Sequence, residues 1–295
     1  MLILETISHE TIWGGQKLMP YSDGSCKKIG HLYSLQCEKG QSNKILNGSY
    51  KDKTFNEYFD ENKNRFHLGN YILFPLIIAL VEADDNLSIQ VHPDDELAKA
   101  LENADYGKNE SWYFIEAPKE GYIYDGCTGI SITEVQNKVA ARDLESITDH
   151  LYVKNGDYVY VEAGTLHALS TGSLLYEIEE NCPLTYRLYD FNRKDAQGNT
   201  RELHLEKALK AIKVDLKSRI KRYDNDYIEE RRYITQLYEN IDSYTNNSKT
   251  LECLTMIDAA FMLEGVAVKI GTTIILEPGE SVSALMKKAI MARPK

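Results

Sequence analysis

The sequence predicts a mainly β protein, built as an all-β barrel or sandwich with a few added helices. Short runs of β-branched and aromatic residues recur along the chain, and turn residues separate them. Some runs alternate strictly between apolar and polar residues or tyrosine, as in YVYVEAG at 158–164. Helical periodicity is confined to four segments. Many short strands joined by polar turns are typical of barrels and sandwiches.

The predicted strands follow one another at close spacing. In chain order they are HLYSLQCE (31–38), YILFPLIIALVEA (71–83), LSIQVH (87–92), SWYFIEA (111–117), GYIYDG (121–126), DHLYVKNGDYVYVEAG (149–164), SLLYEIEE (173–180), TYRLYDFNR (185–193) and the strand-rich end from Cys253 to Met286. The predicted helices are TFNEYFDEN (54–62), PDDELAKALENA (93–104), SITEVQNKVAARDLESITDHL (131–151) and LHLEKALKAIK (203–213). The second of these has proline and two acids in its first turn, which is a helix-start signal.

Composition restricts the classes of partner. The chain carries 34 Lys and Arg against 45 Asp and Glu, a net charge of −11. That balance argues against nucleic acid or an anionic membrane as the main partner, although a few local cations still permit an anionic small substrate. The longest apolar run contains Pro75 and is too short to span a membrane. Oligomeric state is left open.

The cysteines indicate a reducing compartment. The five cysteines are odd in number and widely spaced, without a CxxC pair, which fits free thiols better than a disulfide framework. The first fifteen residues lack the basic and apolar regions of a signal peptide. We therefore expect a cytoplasmic protein.

Four polar residues suggest a metal site. Gln90 and His92 lie two apart in a predicted strand, so their side chains leave the same face. Glu110 and His167 each lie at or near a later predicted strand. Together the four form an oxygen and nitrogen donor set suited to a divalent cation such as zinc. The competing interpretation is that these histidines are ordinary surface or hydrogen-bonded residues, because spacing alone does not bring the four together.

Two segments resemble the metal motifs of cupins. Gly156, Glu162, Gly164 and His167 follow the second cupin motif, with Glu162 at the usual proline position. Gln90-x-His92 followed by Glu110 resembles the first motif. The resemblance implies a double-stranded β-helix barrel.

A longer set of segments resembles the type I mannose-6-phosphate isomerases, in their short bacterial form. The matching stretches are IWGG (12–15), FPLIIALVEADDNLSIQVHPDDELA (74–98), GKNESWYFIEA (107–117), GDYVYVEAGTLHAL (156–169) and LLYEIEENCPLTYRLYDFNR (174–193). The resemblance implies one Zn²⁺ bound by Gln90, His92, Glu110 and His167, and interconversion of mannose 6-phosphate and fructose 6-phosphate through a cis-enediol.

The resemblance also implies roles for four other residues. Arg187 matches the active-site arginine of the family, and Lys108 matches a lysine implicated in the site. We expect Arg187 to stabilise developing negative charge and Lys108 to serve as a base, because a nearby dication disfavours the charged lysine. Their ordinary alternatives are a salt bridge to Asp190 and a solvated loop lysine. Trp13 and Ser88 match residues near the sugar.

The family resemblance and a weak internal repeat imply two halves. Residues 153–169 and 275–294 share a strand, a glycine–acid turn and a second strand. We expect a metal-bearing cupin half with inserted helices over 1–214, a charged connecting segment over 215–250 and a degenerate second half over 251–295.

The sequence departs from the family pattern around the expected substrate. His31 and Tyr33 stand where the family usually has glutamate and tryptophan, and Ala79 replaces a lysine. The metal set is complete while part of the substrate shell is altered. Two alternatives to the isomerase therefore stay open: a non-catalytic metal-binding cupin that binds a sugar or sugar phosphate, and an isomerase for another sugar.

Overall fold

The computed structural model describes residues 1–38, 40–195, 197–225 and 227–295. The chain forms two compact units, one comprising Met1–Glu10, Gln16–Leu80 and Tyr223–Lys295, and the other comprising Thr11–Gly15 and Val81–Arg222. Strands predominate in both units. None of the helices in the described ranges is long and apolar enough to cross a membrane.

The first eighty-two residues form short strands and one α-helix. These elements are β1 (Leu2–Ile3), β2 (Ile7–His9), β3 (His31–Leu35), β4 (Cys37–Glu38), β5 (Gln41–Ser42), α1 (Phe55–Asn62) and β6 (Leu76–Glu82). A reciprocal capping box between Thr54 and Glu57 begins α1 as predicted. The strand predicted over 71–83 begins only at Leu76, directly after Pro75, because proline has no N–H for a sheet ladder.

The second unit contains most of the predicted helices. Its elements are β7 (Ile89–Val91), α2 (Asp95–Glu102), β8 (Glu110–Glu116), β9 (Tyr122–Asp125), α3 (Ile132–Ala141), β10 (His150–Tyr152), β11 (Asp157–Val161), β12 (His167–Ala168), β13 (Leu174–Glu180), β14 (Tyr186–Tyr189), α4 (Leu205–Ala211) and β15 (Arg219–Arg222). One sheet has the strand order β10-β9-β12-β7-β14, and β15, β11, β8 and β13 are consecutive neighbours in another.

The helix predicted over 131–151 is shorter than expected. It ends at Ala141 because Arg142 adopts a left-handed conformation, with φ of 55°, and its N–H bonds back to the last turn. A short 3₁₀ turn over Leu144–Ile147 and strand β10 follow. The apolar residues there still face the core, so the error concerns the backbone and not the burial.

The five-stranded sheet of this unit has two unlike faces. Ile89 and Val91 of β7 belong to a buried apolar cluster that includes Val135 of α3 and Ala208 of α4. Gln90 lies between them in the sequence, so its side chain leaves the opposite face. This alternation explains why an amide and an imidazole follow each other in an otherwise apolar strand.

The C-terminal residues form a separate antiparallel sheet. The strands of this region are β16 (Tyr227–Glu229), β17 (Tyr233–Thr245), β18 (Glu252–Asp258), β19 (Phe261–Leu263), β20 (Val266–Val268), β21 (Thr273–Leu276) and β22 (Ser281–Pro294). The six-stranded order is β1-β21-β18-β22-β17-β16, with β19 and β20 as a separate hairpin. Leu254, Met256, Ile274 and Met286 contribute to its buried core.

The segment 215–250, which we expected to be a connection, contains β15, β16 and the long strand β17. Most of the charged residues described in this segment are exposed and hid the pattern, whereas Tyr233, Thr235 and Leu237 of β17 are buried. Residues 1–10 and 16–80 cluster with residues 223–295 in one compact unit. The predicted division into a metal-bearing half and a degenerate half stays a prediction.

The two repeated segments share one turn geometry. Gly156 and Gly279 have φ of 87° and 83°, and the following acid donates its N–H to the residue three positions before it. In each turn the acid's carboxylate also accepts the N–H of that same residue, at 2.7 Å for Asp157 and 2.8 Å for Glu280. The weak sequence repeat therefore corresponds to a real structural repeat at these turns.

Candidate active site

Three side chains from separate elements of the second unit converge on one point. Glu110 begins β8, His167 begins β12 and His92 directly follows β7. The Nε2 atoms of His92 and His167 lie 3.4 and 3.2 Å from the two carboxylate oxygens of Glu110. All three residues are about 99% buried. The structure therefore brings together three of the four predicted metal ligands.

Both imidazoles are fixed in the orientation that a metal requires. Nδ1 of His92 lies 2.9 Å from the carbonyl oxygen of Leu184, and Nδ1 of His167 lies 2.9 Å from that of Thr165. A carbonyl oxygen only accepts, so each Nδ1 carries a hydrogen, and in a neutral ring this arrangement leaves the lone pair on Nε2. Such backbone contacts to the second ring nitrogen are typical of metal-binding histidines.

The cluster fits a divalent cation. Within the described residues, Nε2 of both histidines and one carboxylate oxygen of Glu110 are buried without a hydrogen-bond partner. Burial, reinforced by Lys108, lowers the pKa of His92 to about 4. Burial alone would raise the pKa of Glu110, but Lys108 and His92 hold it well below its usual range. Neutral imidazoles and an ionised carboxylate are the protonation states that ligate metal.

Gln90 lies in a row of polar residues across the five-stranded sheet. It is paired with His167 of β12 on one side and with Arg187 of β14 on the other. Residues directly opposite each other on neighbouring strands share a face. Ser88 donates to the Gln90 side-chain oxygen at 3.1 Å and accepts from Nε of Arg187 at 3.2 Å. Ser88, Gln90 and Arg187 are therefore linked beside the histidines.

Backbone contacts hold the ligand-bearing loops together. Gly164 donates its N–H to the carbonyl oxygen of His92 at 2.9 Å, and the Asn109 side chain accepts from Ala163 at 2.9 Å. Glu162, which replaces the usual proline, is the exposed first residue of the turn that Thr165 closes. A side chain there points away from the core, so the turn tolerates the replacement.

Gly107 allows the backbone before Lys108 to pack closely against the backbone at Pro93. Its N–H bonds to a carboxylate oxygen of Asp95, and the Lys108 N–H donates to the carbonyl oxygen of Pro93 at 3.1 Å. A Cβ on Gly107 would lie 2.2 Å from that same carbonyl oxygen. No larger residue fits without moving the backbone.

Lys108 is a buried ammonium among carboxylates. Its Nζ lies 2.6 Å from Glu179 and 3.2 Å from Glu110. Burial alone would lower its pKa, but Glu179, Glu110 and Glu177 raise the pKa above its ordinary value. The solvated loop lysine that was the alternative interpretation is wrong, because Lys108 is only 6% exposed.

Sequence reasoning missed two acids of this cluster. Glu177 and Glu179 lie two apart on β13, and with Glu110 they form a second group whose oxygens lie within 4.8 Å of one another. Trp112 donates to Glu177 at 2.8 Å. Burial, together with Glu179 and Glu110, raises the pKa of Glu177 well above its usual range. The missed signal was a pair of acids on one face of a buried strand, the same pattern as Gln90 and His92.

Trp13 contacts the segment that precedes β7. It is buried, and its carbonyl oxygen accepts the N–H groups of Asp84 and Asp85, before β7. Its role toward a sugar stays a prediction, as do the roles of Ser88, Arg187 and Lys108. Asp190, the expected partner of Arg187 in its alternative interpretation, pairs with Arg193 and Arg201.

The fold and the buried histidine–carboxylate cluster define a cupin-type protein with a candidate metal centre. The family model described as the catalytic domain of type I phosphomannose isomerase matches residues 1–113. The probable mannose-6-phosphate isomerase GmuF of Bacillus subtilis (strain 168) is 36% identical over 216 residues, which cover 72% of this chain and 68% of that protein. Mannose-6-phosphate isomerase ManA of the same organism is 35% identical over 214 residues, with the same coverage.

Solved structures agree with the sequence comparison. The crystal structure of the Bacillus subtilis mannose 6-phosphate isomerase has a TM-score of 0.86 and 26% identity, covering 99% of each chain. A mannose 6-phosphate isomerase bound with zinc and yttrium has the same fold, with a TM-score of 0.66, 11% identity and coverage of 100% of this chain and 99% of that chain. This chain belongs to the type I phosphomannose isomerase family. The predicted family, fold class and enzymatic nature are confirmed.

Proposed function

We propose that this protein interconverts mannose 6-phosphate and fructose 6-phosphate, with one zinc ion held by Gln90, His92, Glu110 and His167. The observation that carries the proposal is the buried cluster of three donor atoms without hydrogen-bond partners among the described residues. The relatives named for this reaction support the choice of substrate. A bound dication supplies Lewis acidity toward the sugar's oxygens.

The chain's own residues would place and move one proton. Isomerisation transfers a proton between C1 and C2 of the sugar through a cis-enediol. Lys108 lies within 3.2 Å of Glu110 and would hold or release that proton at Nζ. The surrounding carboxylates raise the pKa of Lys108. A dication held by the neighbouring ligands would act in the opposite direction and favour the neutral amine of Lys108.

Arg187 and Ser88 would orient the substrate. The Arg187 guanidinium is held by Ser88 and by the carbonyl oxygen of Glu202 at 2.9 Å, so its charge is fixed beside Gln90. A preorganised cation at that position stabilises negative charge as it develops on the sugar.

An isomerase for another sugar is the second candidate. Ala79 is fully buried in β6, so this position offers no cation to a substrate. His31 is held against Tyr33 in a stacked pair, with ring centroids 5.3 Å apart. The family pattern usually has lysine and glutamate at these two positions, and the loss of both charges is the reason to consider another sugar.

The test is fructose 6-phosphate formation from mannose 6-phosphate by zinc-loaded protein, run beside a panel of free and phosphorylated aldoses. We expect mannose 6-phosphate to be the best substrate and His167→Gln to abolish turnover. His150→Gln is the matched control, because His150 is exposed on β10 of the same sheet and should keep full activity. Turnover of another sugar only would favour the second candidate. If the protein binds zinc and sugar phosphate but shows no turnover, the result would favour a non-catalytic binding protein.

A further inference from the structure

A positively charged cavity, separate from the candidate metal centre, lies on the helix-covered side of the five-stranded sheet. A cavity of about 120 Å³, open to solvent, is lined by the end of α3, by β14 and by the segment that follows it. Leu188, whose side chain packs in the apolar cluster with α3 and α4, forms part of its wall. The metal ligands do not line this cavity.

Three arginines and one acid set the charge of this cavity. Arg142, Arg193 and Arg201 line it together with Asp190. Burial alone would raise the pKa of Asp190, but Arg201 and Arg193 hold it below its usual range, so it stays ionised. The four groups carry a net positive charge of about two, in a chain whose net charge is −11.

Asp190 occupies only some of the N–H donors of the arginines, so other N–H groups can still bind a ligand. Nε of Arg201 donates to one Asp190 oxygen at 2.8 Å, and a terminal nitrogen donates to the other. Arg193 bonds to Asp190 and to the carbonyl oxygen of Asn86, and it also pairs with the exposed Asp85 at 3.4 Å. The guanidinium of Arg142 has no hydrogen bond or ion pair within the described part of the chain. Asp190 therefore positions two arginines, and the third adds five unused donors.

The rest of the lining suits a small polar ester. Thr200, Asn192 and Tyr189 add hydroxyl and amide groups at the rim, while Val139 and Leu203 provide an apolar wall. Clustered guanidinium groups recognise phosphate oxygens through paired, charge-assisted hydrogen bonds. We propose that this cavity, the Arg142 pocket, binds the phosphate group of a small phosphate monoester.

Two sources of that phosphate fit the same chemistry. It is either the phosphate of the substrate or the phosphate of a separate effector. Arg193 contacts Asn86, two residues before Ser88, which places the pocket's edge near the substrate-orienting residues. The first source rests on the proposed function, whereas the second does not.

The test is equilibrium binding of inorganic phosphate at constant ionic strength, for the zinc-loaded wild type, Arg142→Gln and Arg201→Gln. Lys210→Gln is the matched control, because Lys210 is an exposed cation on α4 and its loss changes the net charge equally. We expect Arg142→Gln to weaken phosphate binding about fivefold to tenfold, and Lys210→Gln to leave it unchanged. Arg142 is exposed and unpaired within the described ranges, so its variant should fold even if Arg201→Gln does not.

Kinetics then separate the two sources. A rise in the KM for mannose 6-phosphate of the same size in Arg142→Gln, with kcat unchanged, identifies the substrate's own phosphate. Weakened phosphate binding with unchanged KM identifies a separate ester. Phosphate binding equal in the wild type and both arginine variants overturns the proposal. Because binding is measured without turnover, an inactive protein would refute the proposed function and leave this test intact.

Discussion

Replacing Glu179 tests whether the buried carboxylate positions Lys108. Glu179 lies 2.6 Å from Nζ of Lys108, which is 6% exposed. Glu179→Gln keeps an acceptor of the same shape but loses the charge, and we expect it to lower the free energy of unfolding by about 1–2 kcal/mol. Glu179→Leu also removes the acceptor. It should cost about 3 kcal/mol, at the low end for breaking a buried pair because Glu110 remains.

The same variants should affect catalysis more than binding. If Glu179 holds Lys108 in place, Glu179→Leu should lower kcat about tenfold to a hundredfold with little change in KM, and Glu179→Gln should recover most of that loss. Urea unfolding and initial rates with mannose 6-phosphate measure the two effects. Glu162→Gln, an exposed acid at the neighbouring turn, should change stability by no more than about 0.5 kcal/mol. A Glu179→Leu protein as stable and active as Glu162→Gln would refute the reasoning.

Three further predictions concern the surroundings of the site. Gly107→Ala should destabilise the protein by about 3 kcal/mol and lower kcat, because its Cβ would overlap the Pro93 carbonyl oxygen; calorimetry and rates check this. Ser88→Ala should lower kcat/KM about tenfold by freeing Arg187, and an unchanged value would contradict the link between them. The folded-state pKa of Asp190 is lowered, so its stabilisation is present above its ordinary pKa and lost as pH falls through the lower value. Asp190→Asn should flatten the stability profile in that acid window.

Much of the second unit could be predicted from local sequence patterns. Strict alternation identified β7 and β11, and a proline with two acids marked the start of α2. The pairing of Gln90 with His167 depends on strand register between distant segments, which spacing alone does not determine. Donor chemistry suggested the group of four residues, and the cupin motifs and the family resemblance supported it.

The errors have physical causes. Arg142 ends α3 in a left-handed conformation that favours glycine or asparagine, so the sequence carried no stop signal there. The charged residues of 215–250 concealed β17, whose buried positions are tyrosine, isoleucine, threonine and leucine. Glu177 and Glu179 were overlooked because acids in a strand usually indicate a solvated face, whereas here they surround a buried lysine.

The most direct test of the central claim is a zinc titration of metal-stripped protein, followed by both bound metal and mannose 6-phosphate turnover. If the buried cluster of His92, Glu110 and His167 holds the working cation, activity should rise in proportion to bound zinc and stop rising at one zinc per chain. His92→Gln should bind zinc more weakly and show no turnover at any zinc level that leaves the wild type saturated. Full activity in the stripped protein, or activity that rises without zinc binding to this cluster, would contradict the account.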